Sequence, residues 1–148
     1  MVLDISASWE PAPEMREQPE KVPDIVGGVP LIKVVGIGGG GSNAVSRMFK
    51  DKLPVVEYYA INTDAQHLLR VNVENKVLIG RSARGRGAGG DPEKGEQAAY
   101  ESERTLKTEV DDCDLAFITA GLGGGTGTGS AHVVARLARS AGALTIAV

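Results

Sequence analysis

Residues 121–129 read Gly-Leu-Gly-Gly-Gly-Thr-Gly-Thr-Gly, six glycines in nine positions, directly after the apolar run 115–120. Glycine loses more conformational freedom on folding than any other residue, so such a cluster between ordered elements needs a compensating role. Phosphate binding is one such role. Without a Cβ in the way, backbone N–H groups converge on an anion, and the N-terminus of a following helix adds its dipole. Thr126 and Thr128 suit this chemistry, since hydroxyls bond phosphate oxygens or a metal-bound water. The competing reading is a flexible linker, although such linkers do not ordinarily separate a buried strand from an amphipathic helix. A second cluster, Gly38 to Gly41, follows another apolar run at 31–37 and precedes Ser42 and Asn43.

These loops need strands and helices to hold them, and the pattern supplies both. Residues 31–37 form a short β-branched run that predicts a buried strand. Ser42 and Asn43 read as N-caps of a helix to about Lys50, carrying Val45, Met48 and Phe49, and Pro54 closes that unit. A second strand is expected over 55–61, ending in Asn62-Thr63-Asp64, followed by a helical turn with Leu68 and Leu69 and a third strand over 76–79. Residues 80–91 are a loop rich in glycine and arginine. Asp91-Pro92 then marks a helix start, with an Asp N-cap and proline at the first helical position, and the helix is expected to reach about Lys107. Its inner face would hold Ala98, Ala99, Ser102 and Leu106. A fourth strand over 114–119 leads into the second glycine cluster. Next come a helix over 130–140 with Val133, Val134, Leu137 and Ala138 inward, Gly142 as its C-cap, and a fifth strand from Leu144 to Val148. Alternating strands and helices predict an α/β fold, a Rossmann-like three-layer arrangement of a mostly parallel sheet with flanking helices. Ligands of such sheets bind beyond the C-terminal strand edges. Both glycine loops, Asn62 to Asp64 and Gly85 to Gly90 all follow strands and should meet there.

Composition bounds the rest. A chain of 148 residues is long enough for one domain with a core, and its net charge of −3 does not indicate general binding of nucleic acid or anionic membrane. The single Cys113 has no internal disulfide partner and fits a reducing compartment. No stretch approaches the roughly 20 apolar residues of a membrane span, and no signal-peptide layout opens the chain, so a cytoplasmic protein is expected. Residues 1–30 hold five of the seven prolines and six acids against two bases. They read as a disordered acidic tail, with Trp9 either a docking anchor or an idle exposed aromatic.

Three phosphate-binding readings compete. A Walker-type loop requires a Gly-Lys dipeptide, which the sequence lacks. A dinucleotide site matches Gly36, Gly38 and Gly41 as G-x-G-x-x-G, with Glu57 and Asp64 downstream, but leaves the second and denser glycine loop without a role. The third reading uses both loops. Gly36-Ile-Gly-Gly-Gly-Gly-Ser-Asn43, Ala60-Ile-Asn-Thr-Asp-Ala-Gln66, Gly87-Ala-Gly-Gly-Asp-Pro92 and Gly123-Gly-Gly-Thr-Gly-Thr-Gly129 occur in this order. Together they closely resemble the FtsZ family of cell-division GTPases, relatives of tubulin, and the resemblance covers residues 31–148.

What the resemblance implies is specific. Gly39, Gly40, Gly41, Ser42 and Asn43 would line the α/β-phosphate and nucleoside side of a GTP/GDP pocket. Ala88, Gly89 and Gly90 would approach the γ-phosphate. Gly123, Gly124, Gly125, Thr126, Gly127, Thr128 and Gly129 would wrap the phosphates, the last three in closest contact. Asp64 would lie near the γ-phosphate and a Mg²⁺ carried by the nucleotide. Partners would be further copies of the chain or full-length FtsZ-like subunits in a head-to-tail filament, together with division or membrane-tether proteins, at the division site. The family's domain continues past the position of Val148 into a guanine-contacting helix and an acidic catalytic loop. The chain is therefore expected to hold the cradling half of a shared GTPase site and to be inactive alone. Without the follow-on helix it should also be of marginal stability. The alternative is a non-catalytic nucleotide-binding piece that caps or regulates filaments. His132 stands where the family usually has proline, and is either a tolerated first-turn residue or an added attraction for phosphate. Arg86 stands where the family is usually apolar. With Arg81 and Arg84 it makes the third loop basic, read either as solvated or as touching the γ-phosphate. His67 is expected at a surface or helix edge, and Cys113 as a small residue before a strand.

Overall fold

In a computed structural model, which describes residues 28–148, five parallel strands form one sheet in the order β3-β2-β1-β4-β5. The strands are β1 (Ile32–Ile37), β2 (Val56–Asn62), β3 (Asn75–Leu78), β4 (Leu115–Ala120) and β5 (Leu144–Ala147). The helices are α1 (Gly38–Met48), α2 (Ala65–Arg70), α3 (Pro92–Glu101), α4 (Glu103–Val110) and α5 (Gly125–Ser140). The expected tail and its Trp9 lie outside the described residues, except for 28–30.

Alternation along each strand sends neighbouring side chains to opposite faces, and each face builds its own core. Val34, Tyr58 and Ala60 pack with Val45 of α1 and Leu68 of α2. Val35, Ile37, Tyr59, Ile61 and Ile118 pack on the other face with Ala98 and Ala99 of α3, Leu106 of α4, and Val133, Val134 and Leu137 of α5. The layering follows from the order. From β1 the chain crosses to β2 on one side, whereas from β4 it crosses to β5 on the other, so α1 and α5 fall on opposite faces. Lys33 is a buried cation in β1, only 6% exposed. Its ammonium donates to the backbone oxygens of Glu109 (2.9 Å) and Asp111 (2.8 Å), anchoring the C-terminus of α4, where the helix dipole favours a cation.

Several boundaries differ from the sequence expectations, and each difference has a cause. Ser42 and Asn43 are not N-caps. The helix begins at Gly38, with Ile37 as its cap, so the glycines are its first turn and not a loop ahead of it. Likewise α5 starts at Gly125 rather than Ser130, absorbing Thr126 to Gly129. The low helix propensity of glycine is overridden because backbone from neighbouring elements approaches where side chains would stand. A Cβ on Gly127 would lie 2.6 Å from the Gly121 oxygen, and one on Gly38, whose φ is +71°, would lie 2.7 Å from the Gly127 nitrogen. The helix expected to run to Lys107 is interrupted at Ser102, whose Oγ accepts from the Gly80 N–H at 2.9 Å. The remaining strand ends agree within a residue or two. Gly142 follows α5 with φ +98°, its N–H bonded to the Arg139 oxygen at 3.0 Å, as a glycine past a helix end should be.

Candidate functional site

At the C-terminal edge of the sheet, α1 leaves β1 and α5 leaves β4, and these strands are neighbours in register up to Ile37↔Ala120. The crevice between them lies where the strand order reverses, the position at which doubly wound sheets bind ligands. The helix N-termini there are not alike. Asp64 caps α2 by accepting from the His67 N–H at 3.0 Å, and Asp91 caps α3 by accepting from the Glu93 N–H at 3.0 Å. No side chain caps α1 or α5. Two adjacent helices thus present free first-turn N–H groups and the positive ends of their dipoles to one crevice, an arrangement suited to an anion with several oxygens. Gly40 comes against Gly121 and Gly38 against Gly127, so the two first turns interlock.

The predicted residues divide by what surrounds them. Added Cβ atoms on Gly89, Gly90, Gly123 and Gly124 would meet nothing within 4 Å, so open space lies above their backbone. Gly39, Gly40 and Asn43 are exposed on the first turns of α1. Gly41, Gly125 and Gly129 instead take close backbone contacts. Gly41 packs on the Thr119 oxygen, Gly125 on Asp91 and Ala88, and Gly129 on Pro92 and Glu96 of α3. Ala88, Gly89 and Gly90 are brought to the crevice by the packing of Ala88 on Gly125. Thr126 is buried, its hydroxyl 2.7 Å from that of Thr63. Ser42 Oγ and Thr128 Oγ1 are buried with no hydrogen-bond partner. Orphaned hydroxyls in the early turns of the two uncapped helices fit a site completed by a ligand rich in acceptors, as a polyphosphate is.

Two residues outside the predicted site set belong to this neighbourhood. Asn62 is buried at the end of β2, its Oδ1 accepting from the N–H groups of Thr63 (2.8 Å) and Asp64 (3.3 Å). This leaves its amide nitrogen to donate to His67 Nδ1 at 3.3 Å. The other ring nitrogen, Nε2, faces Gly39 of α1. His67 is half-buried in this arrangement. The only sequence hint is the Asn62-Thr63-Asp64 turn after a strand. His132, by contrast, is exposed and turns to Glu96 of α3, with Nε2 3.0 Å from Oε1. Arg86 is exposed, and its backbone pairs with Asp64 in an isolated antiparallel bridge. Cys113 lies before β4 at the opposite edge, its thiol pushed up by burial.

Comparison with known proteins agrees with this geometry. The profile of the Tubulin/FtsZ family, GTPase domain, matches residues 31–148. The cell division protein FtsZ of Aquifex aeolicus is 57% identical over 118 residues, 79% of this chain and 32% of that protein. FtsZ 1 of Archaeoglobus fulgidus is 53% identical over 119 residues, 80% of this chain and 32% of that protein. The chain thus spans about a third of the length of the curated relatives it matches. Among solved structures, the empty FtsZ dimer of M. jannaschii superposes with a TM-score of 0.78 at 50% identity, covering 80% of this chain and 35% of that one. A GTPγS-bound protofilament of CetZ2 from Haloferax volcanii superposes at 0.69 with 28% identity, covering 80% and 39%.

Proposed function

The chain belongs to the Tubulin/FtsZ family and carries part of its GTPase domain, and from that premise we propose that it binds GTP and GDP through their phosphates at the β1/β4 crevice. The observation that carries the proposal is the pair of uncapped, interlocked helix starts at Gly38 and Gly125. The α- and β-phosphates lie against the first turn of α1, around Gly39 to Asn43. The terminal phosphate lies between Gly123–Gly124 and Ala88–Gly90, with Asp64 beside it. Thr128 Oγ1 and Ser42 Oγ gain the partners they lack. Thr126 acts one step behind, holding Thr63 and so the end of β2. Asp64 would help to hold a divalent cation such as Mg²⁺ brought by the nucleotide, and such an ion would supply charge neutralisation at the phosphates.

Backbone amides fixed by packing do not reorient as charge develops, so the cradle stabilises phosphoryl transfer mainly by electrostatics and positioning. On this reading hydrolysis takes place in a head-to-tail assembly of cytoplasmic division proteins, where the next subunit completes the site. Equilibrium competition among GTP, ATP and NADH for the 148-residue chain, with Mg²⁺ present, tests the proposal. Displacement of a fluorescent guanine nucleotide by GTP but not by NADH is expected. Competition by NADH overturns it in favour of a dinucleotide site. Binding of none of the three removes nucleotide binding from this chain and leaves its family membership standing.

A further inference from the structure

Neither glycine loop carries a cation: residues 36–43 and 121–130 contain no Lys or Arg. A nucleoside triphosphate brings one more negative charge than the diphosphate, and backbone amides alone make a weak distinction between them. The loop over 80–91 does carry arginines, and its backbone is tied down. Ala65 N–H donates to the Gly85 oxygen (3.0 Å), Gly87 N–H to the Thr63 oxygen (3.1 Å), and Arg86 N–H to the Ala83 oxygen (2.9 Å). The first two bonds flank the Asp64↔Arg86 bridge, which makes it a non-hydrogen-bonded antiparallel pair. In such pairs the Cα atoms are about 4.5 Å apart and the side chains leave on the same side, closer than at any other sheet position. Arg86 is thereby aimed beside Asp64, two residues before Ala88, which packs on Gly125 at the opening of α5.

Two other cations beside this loop are committed or remote, and Arg84, exposed and among the described residues in none of the ion pairs, lacks the backbone pairing that sets Arg86 opposite Asp64. Lys94 stands 3.9 Å from Asp91. Arg81 opens the loop on the side of Glu101 and Ser102, away from the crevice. Among the described residues, Arg86 is in none of the ion pairs, and Asp64 meets no cation within 4 Å. A long, exposed side chain therefore leaves the backbone opposite Asp64, on the loop that carries Gly89 and Gly90.

We infer that Arg86 is a specificity-determining residue that reads the third phosphate: it faces Asp64 when the diphosphate is bound and bonds the terminal phosphate of the triphosphate. This rests on the nucleotide reading above and adds to it a side-chain source of preference for the triphosphate. Guanidinium–phosphate contacts are directional and charge-assisted, and loss of one reduces affinity by about tenfold or more.

The test is binding of GTP and GDP, with Mg²⁺, to the 148-residue chain and to three variants, Arg86→Leu, Arg86→Lys and Arg81→Leu, at low and high salt. Thermal melts should coincide, because both arginines are exposed. Arg86→Leu should lose about tenfold in GTP affinity, with GDP affinity within about twofold, and Arg86→Lys should recover part of the loss. Arg81→Leu removes the same charge from the same loop and should leave the GTP/GDP ratio as it was. If Arg86→Leu keeps the parent's ratio, or if Arg81→Leu lowers it equally, Arg86 is only part of a solvated basic loop and the inference fails. If the parent chain binds neither nucleotide, the phosphate cradle itself fails, and the assignment of Arg86 falls with it.

Discussion

At the scale of single residues, the two threonines of the second glycine cluster should part company. Thr126 shares a buried hydrogen bond with Thr63, whereas the hydroxyl of Thr128 is buried without a partner. Thr126→Val keeps the shape but strands the Thr63 hydroxyl, and should lower unfolding free energy by about 1–3 kcal/mol. Thr128→Val removes a group that the folded chain leaves unsatisfied, so its urea midpoint should hold or rise, while nucleotide affinity drops by about 1–3 kcal/mol. Paired urea titrations and nucleotide competition check both, and a fall in stability for Thr128→Val would remove that hydroxyl from the site. A second residue-level prediction concerns alkaline pH. Burial of Tyr59, reinforced by the Glu57 carboxylate that accepts its O–H at 2.9 Å, raises its pKa well above the ordinary 10.0. The unfolded chain ionises first, so the stabilisation is fully present below about pH 10 and is lost as pH rises from there. The Cys113 thiol, raised by burial from 9.0, acts in the same direction and starts the decline earlier. Urea midpoints measured from about pH 7 to 11 should fall at the alkaline end, and Tyr59→Phe should flatten the fall. An unchanged alkaline slope in Tyr59→Phe would point to other groups.

At the scale of elements, the glycines fall into those that let helices meet and those that leave room for a ligand. A side chain on Gly129 would run into the backbone of Pro92 and Glu96, where α5 crosses α3, and the adjacent Ser130 Oγ donates to the Gly95 oxygen at 2.8 Å. Gly129→Ala should therefore cost more than about 2 kcal/mol of stability through overpacking. Gly124 has an extended backbone and open space around it, so Gly124→Ala should stay within about 1 kcal/mol of the parent and instead weaken nucleotide binding. Chemical denaturation and nucleotide titration of the two variants should give opposite patterns, and equal destabilisation would refute the division. The same contrast explains what the sequence could and could not say about the site. Glycine density after an apolar run was enough to mark candidate anion-binding turns. It was not enough to find where α1 and α5 begin, because local propensity argues against helix at Gly38 to Gly41 and Gly125 to Gly129. What places helix there is packing against Thr119, Gly121 and α3, and these contacts span distances in sequence that no local pattern records. The surroundings of His67 were not legible for a similar reason: they depend on the side chain of Asn62, five residues back, and on Gly39 of a different strand–helix unit.

At the scale of the molecule, the alternation of strand and helix was legible from Leu31 onward, and with it the convergence of four loops on one edge. The order of strands was not, since it depends on the face to which each crossover returns. That order leaves part of one face without a helix. On the side of α1 and α2, helices cover β1, β2 and β3 and α1 reaches the end of β4 at Thr119, but among the described residues none covers β5. Register pairs Phe117 with Ile146, so both point to that side, and Leu144 and Val148 follow by alternation along β5. Leu144 is 67% exposed and Val148 82%, and an apolar cavity of about 340 Å³ runs from Val148 and Phe117 to Met48, Leu53 and Val56. Beside it β5 is a free sheet edge with few charges to discourage pairing. A continuous apolar face next to an open edge favours self-association of this chain. The 148-residue chain should bind a hydrophobic fluorescent dye while folded and show a sedimentation coefficient that rises with concentration. Ile146→Lys and Leu144→Lys together should reduce both signals and shift the urea midpoint by less than about 1 kcal/mol, because neither side chain is in a packed core. Parent and variant sedimenting alike as monomers, with no dye bound, would refute the prediction.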